Sequence, residues 1–140
     1  MAITFSPQNI TFNLKQKAKL KSWIIAVSKK EKKSVGTIGY IFGNDALLLE
    51  LNKQYLKHNT YTDIITFDYS EGKKISGEIF ISIERVIENA KIFNIDFQTE
   101  LHRVIIHGIL HLCEYNDKSK SAEANMRKLE NKALLLLNKR

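Results

Sequence analysis

The 140-residue chain has one cysteine, one proline and no long apolar run, and each scarcity excludes something. With Cys113 alone, no internal disulfide can form, which fits a reducing compartment. Pro7 precedes the first expected helix, and no Pro/Gly/Ser-rich stretch, repeat or low-complexity segment marks a linker. One domain over residues 1–140 is therefore expected, large enough for a single core. No stretch approaches the ~18 apolar residues of a membrane span. The opening MAITFSPQNITF also lacks the basic, apolar and small-residue order of a secretory signal. The expected location is cytoplasmic, with no membrane partner. No heptad seam or apolar surface stripe stands out, so a monomer is the default. Acidic residues are the minority, 15 against 22 Lys and Arg, for a net charge of +7. Much of the excess lies in Lys15, Lys17, Lys19, Lys21, Lys29, Lys30, Lys32 and Lys33. Such a field favours polyanions, although lysine-rich helix faces are as often simply solvated.

Hydrophobic periodicity predicts an α/β (α+β) chain, with a single mixed sheet of about four strands and about five helices. Residues 2–5 and 10–12 are short and β-prone. Leu14 to Ser28 reads as an amphipathic helix burying Ala18, Trp23, Ile24 and Val27. Val35 to Phe42 alternates as a strand, and Asn44 caps a helix carrying Leu47, Leu48, Leu51 and Tyr55. Thr62–Phe67 and Ile75–Ser82, joined by the short SEGKK turn, predict an antiparallel pair. Glu84 to Phe93 reads as a helix with Val86, Ile87, Ala90 and Phe93 inward. A helix capped by Asp96 follows, then a last helix over about 122–138 capped by Ser119 or Ser121. The run Leu134 to Leu137 predicts that this last helix buries deeply against its predecessor.

The helix begun at Asp96 carries the run HGILHLCEYND. His107 and His111 stand at i and i+4, so their rings project from one face with Cβ atoms about 5–6 Å apart. Both imidazoles can then reach one ion at roughly 2.0–2.1 Å. Asp117, ten residues after the first histidine, can complete a three-donor site with a coordination position left open. Gly108 occupies the place where HExxH peptidases keep a catalytic glutamate, which argues against peptide cleavage and leaves room for close approach to the metal. An aspartate donor makes the cation a weaker Lewis acid than a third neutral imidazole would. Cys113 points off the histidine face and His102 is rotated well away from it, so neither is read as a ligand.

This run, with LNKQYL, TDIITF and SGEIFIS upstream in the same order, resembles the YbeY family of ribosomal-RNA maturation endoribonucleases, whose pattern is HGxLHLxGYxH. The resemblance covers about residues 35 to 135. It implies one zinc on His107, His111 and Asp117, the three residues that would also carry catalysis. It further implies a single-strand-specific endoribonuclease acting on the 3′ end of small-subunit ribosomal RNA and in ribosome quality control. Ribosomal RNA and the small subunit would be its partners. Substrate contacts are expected from Lys57, His58 and Asp63. Three positions depart from the pattern. Asp117 replaces a histidine, Glu114 a glycine and Leu56 an arginine that commonly follows the tyrosine matched by Tyr55. Aspartate is a competent oxygen donor, whereas leucine cannot hold a phosphate as an arginine fork does.

Nickel accepts imidazole donors as zinc does, and spacing assigns no general base. Two other classes remain readable from these residues. One is a non-catalytic ribosome-assembly or RNA-binding factor with a structural metal. The other, a peptide or small-molecule hydrolase, is disfavoured by Gly108 and the positive charge.

Overall fold

Alternating apolar residues in the two longest strands build the centre of the sheet. In the computed structural model, which describes residues 2–56 and 62–139, β2 (Ser34–Gly43) lies parallel to both β1 (Ala2–Pro7) and β4 (Lys74–Ser82). Strand β3 (Ile64–Asp68) pairs antiparallel with β4, giving the order β1-β2-β4-β3. The mixed four-stranded sheet expected from the pattern is present, including the antiparallel pair around the short turn. Residues 10–12, expected to be β-prone, belong to no strand.

Five α-helices join the sheet, namely α1 (Lys17–Lys30), α2 (Asp45–Leu51), α3 (Ile83–Phe93), α4 (Phe97–Leu112) and α5 (Lys120–Asn138). A π-helical turn, Asn52–Leu56, continues α2. The side chains of Asn44, Ser82, Asp96 and Ser119 accept backbone N–H bonds at the starts of α2, α3, α4 and α5, satisfying donors a helix start leaves unpaired. Among the described residues no helix is long and apolar enough to cross a membrane.

Helix α4 is the centre of the packing. It rests on β3 and β4 and touches α1, α3 and α5, so Leu101, Val104, Ile105, Ile106, Ile109, Leu110 and Leu112 are all buried. Two fully buried polar groups tie this core together. The Tyr40 hydroxyl donates to the carbonyl of Ile105 at 2.7 Å, and the Trp23 indole donates to the carbonyl of Ala133 at 2.7 Å. Each bond fixes a helix relative to a distant element while satisfying a donor that would be costly to bury alone.

Several burial expectations change once helices pack. Ala18 is exposed and Leu20 takes its place in the core. On α3, Ile87 and Phe93 face outward because only one narrow stripe, Ile83, Val86 and Ala90, meets its neighbours. Of the Leu134–Leu137 run only Leu137 is fully buried, and Leu135 is 60% exposed, since four consecutive residues span the whole circumference of a helix.

Candidate metal centre

The three expected donors meet at the C-terminal end of α4. His107 Nε2 and His111 Nε2 are 2.8 Å apart, and Asp117 Oδ2 is 3.5 Å from the first and 3.9 Å from the second. Two donors 2.0–2.1 Å from one tetrahedral ion stand about 3.3 Å apart, a value these separations bracket. Among the described residues this is the one His/Cys/Asp/Glu group close enough to hold an ion.

The far edges of both rings are engaged. His107 Nδ1 lies 2.6 Å from Glu130 Oε2, and the carboxylate can only accept, so Nδ1 carries the hydrogen. His111 Nδ1 lies 3.1 Å from the carbonyl oxygen of Tyr115, which likewise can only accept. In the neutral form each ring then turns an Nε2 lone pair inward, beside the Asp117 carboxylate. Such a cradle fits a cation, and neutral Nε2-donor tautomers are what a metal requires. Burial drives the His107 pKa down, but the Glu130 hydrogen bond and charge, with Asp117 and Asp63, outweigh it, so the net shift is upward. His111 moves down, through burial and then the neighbouring His107.

The turn after α4 delivers Tyr115 and Asp117. Glu114 adopts a left-handed φ of 76°. Its N–H donates to His111 O at 3.0 Å, and the N–H of Tyr115 donates to Leu110 O at 3.1 Å. This paired pattern is the Schellman ending, and it swings the Tyr115 carbonyl under the His111 ring. The Tyr115 hydroxyl donates to Glu31 Oε1 at 2.6 Å, pinning the turn to the end of α1. A left-handed non-glycine residue costs about 1–2 kcal/mol. The Glu114 side chain offsets little of that cost, being 80% exposed and 3.5 Å from Lys33 Nζ. Glu114→Gly is expected to raise the thermal midpoint by about 2–4 °C, since roughly 1 kcal/mol is worth that much in a chain of this size after the extra unfolded-state freedom of glycine is deducted. A calorimetric scan showing a lower midpoint would contradict the strain assigned here.

Gly108 does not open space beside the donors. It faces the sheet, where an added Cβ would stand 3.0 Å from Ile79 and 3.2 Å from Ile64. The expectation of room near the metal is corrected to one of close helix–sheet packing, and a glutamate there would point into the core. Cys113 is buried, which pushes its thiol up to about 11, and it stands apart from the donors. His102 is half-buried, edge-on to the Trp23 ring at 6.3 Å.

A cavity of about 430 Å³ opens beside the donors. Asp63 lines it from the bend just before β3, and its carboxyl pKa is raised by burial. Lys57 and His58 lie outside the described residues. The sequence reading missed Glu100, Arg103, Arg127 and Glu130, which line the same cavity from α4 and α5. Glu100 and Glu130 are 3% and 4% exposed. Arg103 Nη1 donates to Glu130 Oε1 at 3.2 Å and to Asn131 Oδ1 at 2.9 Å, so the carboxylate that orients His107 is itself held. One signal for Glu130 was available. It interrupts an otherwise apolar stripe, Met126, Ala133 and Leu137, at helical spacing. The α1 lysines do not line this cavity; among the described residues its Lys and Arg lining is Arg103 and Arg127.

Two imidazoles and a carboxylate converging beside an open cavity form the donor set of a metal-assisted hydrolase. The family described as Endoribonuclease YbeY matches residues 2–138. Similar curated proteins carry that name. One from Parabacteroides distasonis is 50% identical over 137 residues, covering 98% of this chain and 96% of the relative. One from Flavobacterium psychrophilum is 50% identical over 127 residues, 91% of each. A solution structure of a Thermotoga maritima protein superposes with a TM-score of 0.62 at 31% identity, covering 94% of this chain and 89% of that one. The chain belongs to the endoribonuclease YbeY family, and its activity class is that of an RNA-cleaving hydrolase.

Proposed function

We propose that this single domain is a zinc-dependent endoribonuclease that cuts single-stranded RNA in the cytoplasm, acting on the 3′ end of small-subunit ribosomal RNA and in ribosome quality control. In this reading His107, His111 and Asp117 hold the cation, with Lys57, His58 and Asp63 on the substrate side. The observation that supports it most directly is the pair of inward-facing Nε2 atoms 2.8 Å apart, each ring held by a hydrogen bond that its Nδ1 donates. Zinc suits two imidazoles and one carboxylate, and nickel fits the same donors. When bound, the cation supplies charge to polarise a phosphodiester oxygen and to acidify water. Around it, Glu130 and the Tyr115 carbonyl hold the two rings in their donor tautomers. Asp63, a half-buried carboxyl that keeps its proton to higher pH than an exposed one, faces the substrate space. Attack of water at phosphorus releases the ribose oxygen as an alcohol, leaving two RNA ends.

Elemental analysis coupled to an RNA cleavage assay tests this reading. One zinc per chain and cleavage abolished by chelation are expected. Metal-loaded protein that binds RNA without cutting it would favour the assembly-factor alternative instead.

Asp117 also makes a pH prediction. A neutral third donor leaves the cation more of its charge than an anionic one does. Asp117→His is therefore expected to move the rising limb of the pH–rate profile toward lower pH, with zinc still bound. An unmoved limb in a zinc-replete variant would show that Asp117 does not set the acidity of the site.

A further inference from the structure

We propose that the cleft beside the metal donors grips one unpaired stretch of RNA between two walls, with Phe93 as the stacking platform for a base and Arg127 and Lys120 anchoring the adjoining phosphates. The inference rests on the endoribonuclease reading and adds the residues that select single strands. Phe93 ends α3 and is 53% exposed. Eight large apolar side chains are exposed among the described residues, and of these Phe93 alone lines the cavity that contains His107, His111 and Asp117. An isolated exposed apolar residue is ordinary. An aromatic ring at the rim of a polar cavity is a surface on which a base can stack, and every base offers a π-face.

A second wall, formed by α5, carries the cation. Arg127 lines the same cavity, with its side chain 54% exposed and Nη1 3.7 Å from Glu130 Oε1. The buried carboxylate steadies one edge of the guanidinium while other N–H donors stay available for phosphate oxygens. Arg127 also lines an adjoining groove with Lys120, Glu123, Ala124, His107 and Asp117. Lys120, Ala124 and Arg127 fall at i, i+4 and i+7 on α5, one face of the helix. Lys120 and Arg127, with Glu123 between them, thus flank a groove that leads to the donors. Two exposed cationic side chains beside a cation site can meet phosphates, and continuity with the donors makes RNA the occupant rather than a docking protein. In a duplex the bases are stacked inside and cannot reach Phe93, so the platform favours unpaired segments.

The test is binding of a phosphorothioate-linked single-stranded RNA to the full-length, zinc-loaded protein, followed by fluorescence anisotropy over a salt series, with an RNA duplex in parallel. Both side chains are at the surface, and unchanged thermal midpoints would establish that the variants fold. Phe93→Ala is expected to weaken single-strand binding roughly 5- to 150-fold, the range of one base–aromatic stack, with the salt slope and duplex binding unchanged. Phe93→Tyr should restore affinity and Phe93→Leu should not. Arg127→Ala should lower the salt slope by about 0.7, the value for one phosphate contact on a single strand. Wild-type affinity in Phe93→Ala or Phe93→Leu, equal losses on single strand and duplex, or an unaltered slope in Arg127→Ala would overturn the two-walled cleft. A wild type that takes up zinc yet neither binds nor cuts RNA would overturn the endoribonuclease reading itself, whereas active wild type with variants indistinguishable from it removes only this inference.

Discussion

His111→Ala is expected to abolish metal retention and RNA cleavage together, with a fall in kcat/KM of roughly 10³-fold or more, because Lewis-acid stabilisation supplies several kcal/mol of the barrier reduction. The fold should survive. His111 is only half-buried, its one protein hydrogen bond outside the donor set goes to the Tyr115 carbonyl, and the Schellman turn holds without the ring because its bonds are backbone bonds. Loss of activity with an unchanged circular-dichroism spectrum would thus report on the metal site and not on unfolding. The matched control is His102→Ala, a histidine on the same helix that stands against Trp23 and outside the donor group. It should keep both zinc and cleavage. Elemental analysis and a cleavage assay on the three proteins decide the matter, and cleavage by zinc-free His111→Ala at the wild-type rate would end the metal-hydrolase account.

The donors were legible because helical periodicity is a local property. Two histidines at i and i+4 must share a face, and Asp96, Phe97 and Leu101 announce the helix that carries them. Asp117 was legible through its ten-residue spacing from His107 and through the resemblance, and not through periodicity, since the turn between Cys113 and Asp117 has none to read. Glu114, which stands where the family pattern has glycine, takes a left-handed conformation. The supporting residues were harder. Glu130 is 23 residues from His107 in the chain, and only the packing of α5 on α4 brings its carboxylate to the ring. A charged residue in an apolar stripe announces a buried partner but does not name it. Gly108 misled because a missing side chain says that something comes close without saying from which side. Here it is Ile79 and Ile64 of the sheet. Phe93 and Ile87 misled for a related reason. A helix with apolar residues over a broad arc buries only as much of that arc as its neighbours cover, and no local pattern reports how many neighbours there are.

Glu130 should have the second large effect, and its variants separate orientation from stability. In Glu130→Gln the shape is kept and the charge is lost, so the Nδ1 hydrogen of His107 can still be accepted, but more weakly, and Arg103 Nη1 loses its charged partner at 3.2 Å. Loss of such a supporting hydrogen bond typically lowers metal affinity 10–100-fold, and a chelator competition should read a change of that size. Glu130→Ala goes further, because Arg103, whose side chain is 15% exposed, is left facing a void with Asn131 at 2.9 Å and the Glu100 carboxylate 3.9 Å from its Nε. Breaking one side of a buried ion pair costs about 3–5 kcal/mol, on the order of a 10 °C fall in the thermal midpoint. The metal-free protein adds a pH signature. Glu130 raises the folded-state pKa of His107 above its ordinary value. The associated stability is present in full below the unfolded value of about 6.5 and is lost as pH rises through the folded value. The stability gap between wild type and Glu130→Gln should therefore be widest on the acid side of the histidine range and should narrow as the solution becomes alkaline. A gap that widened with rising pH would mean that Glu130 acts on some group other than the His107 imidazole.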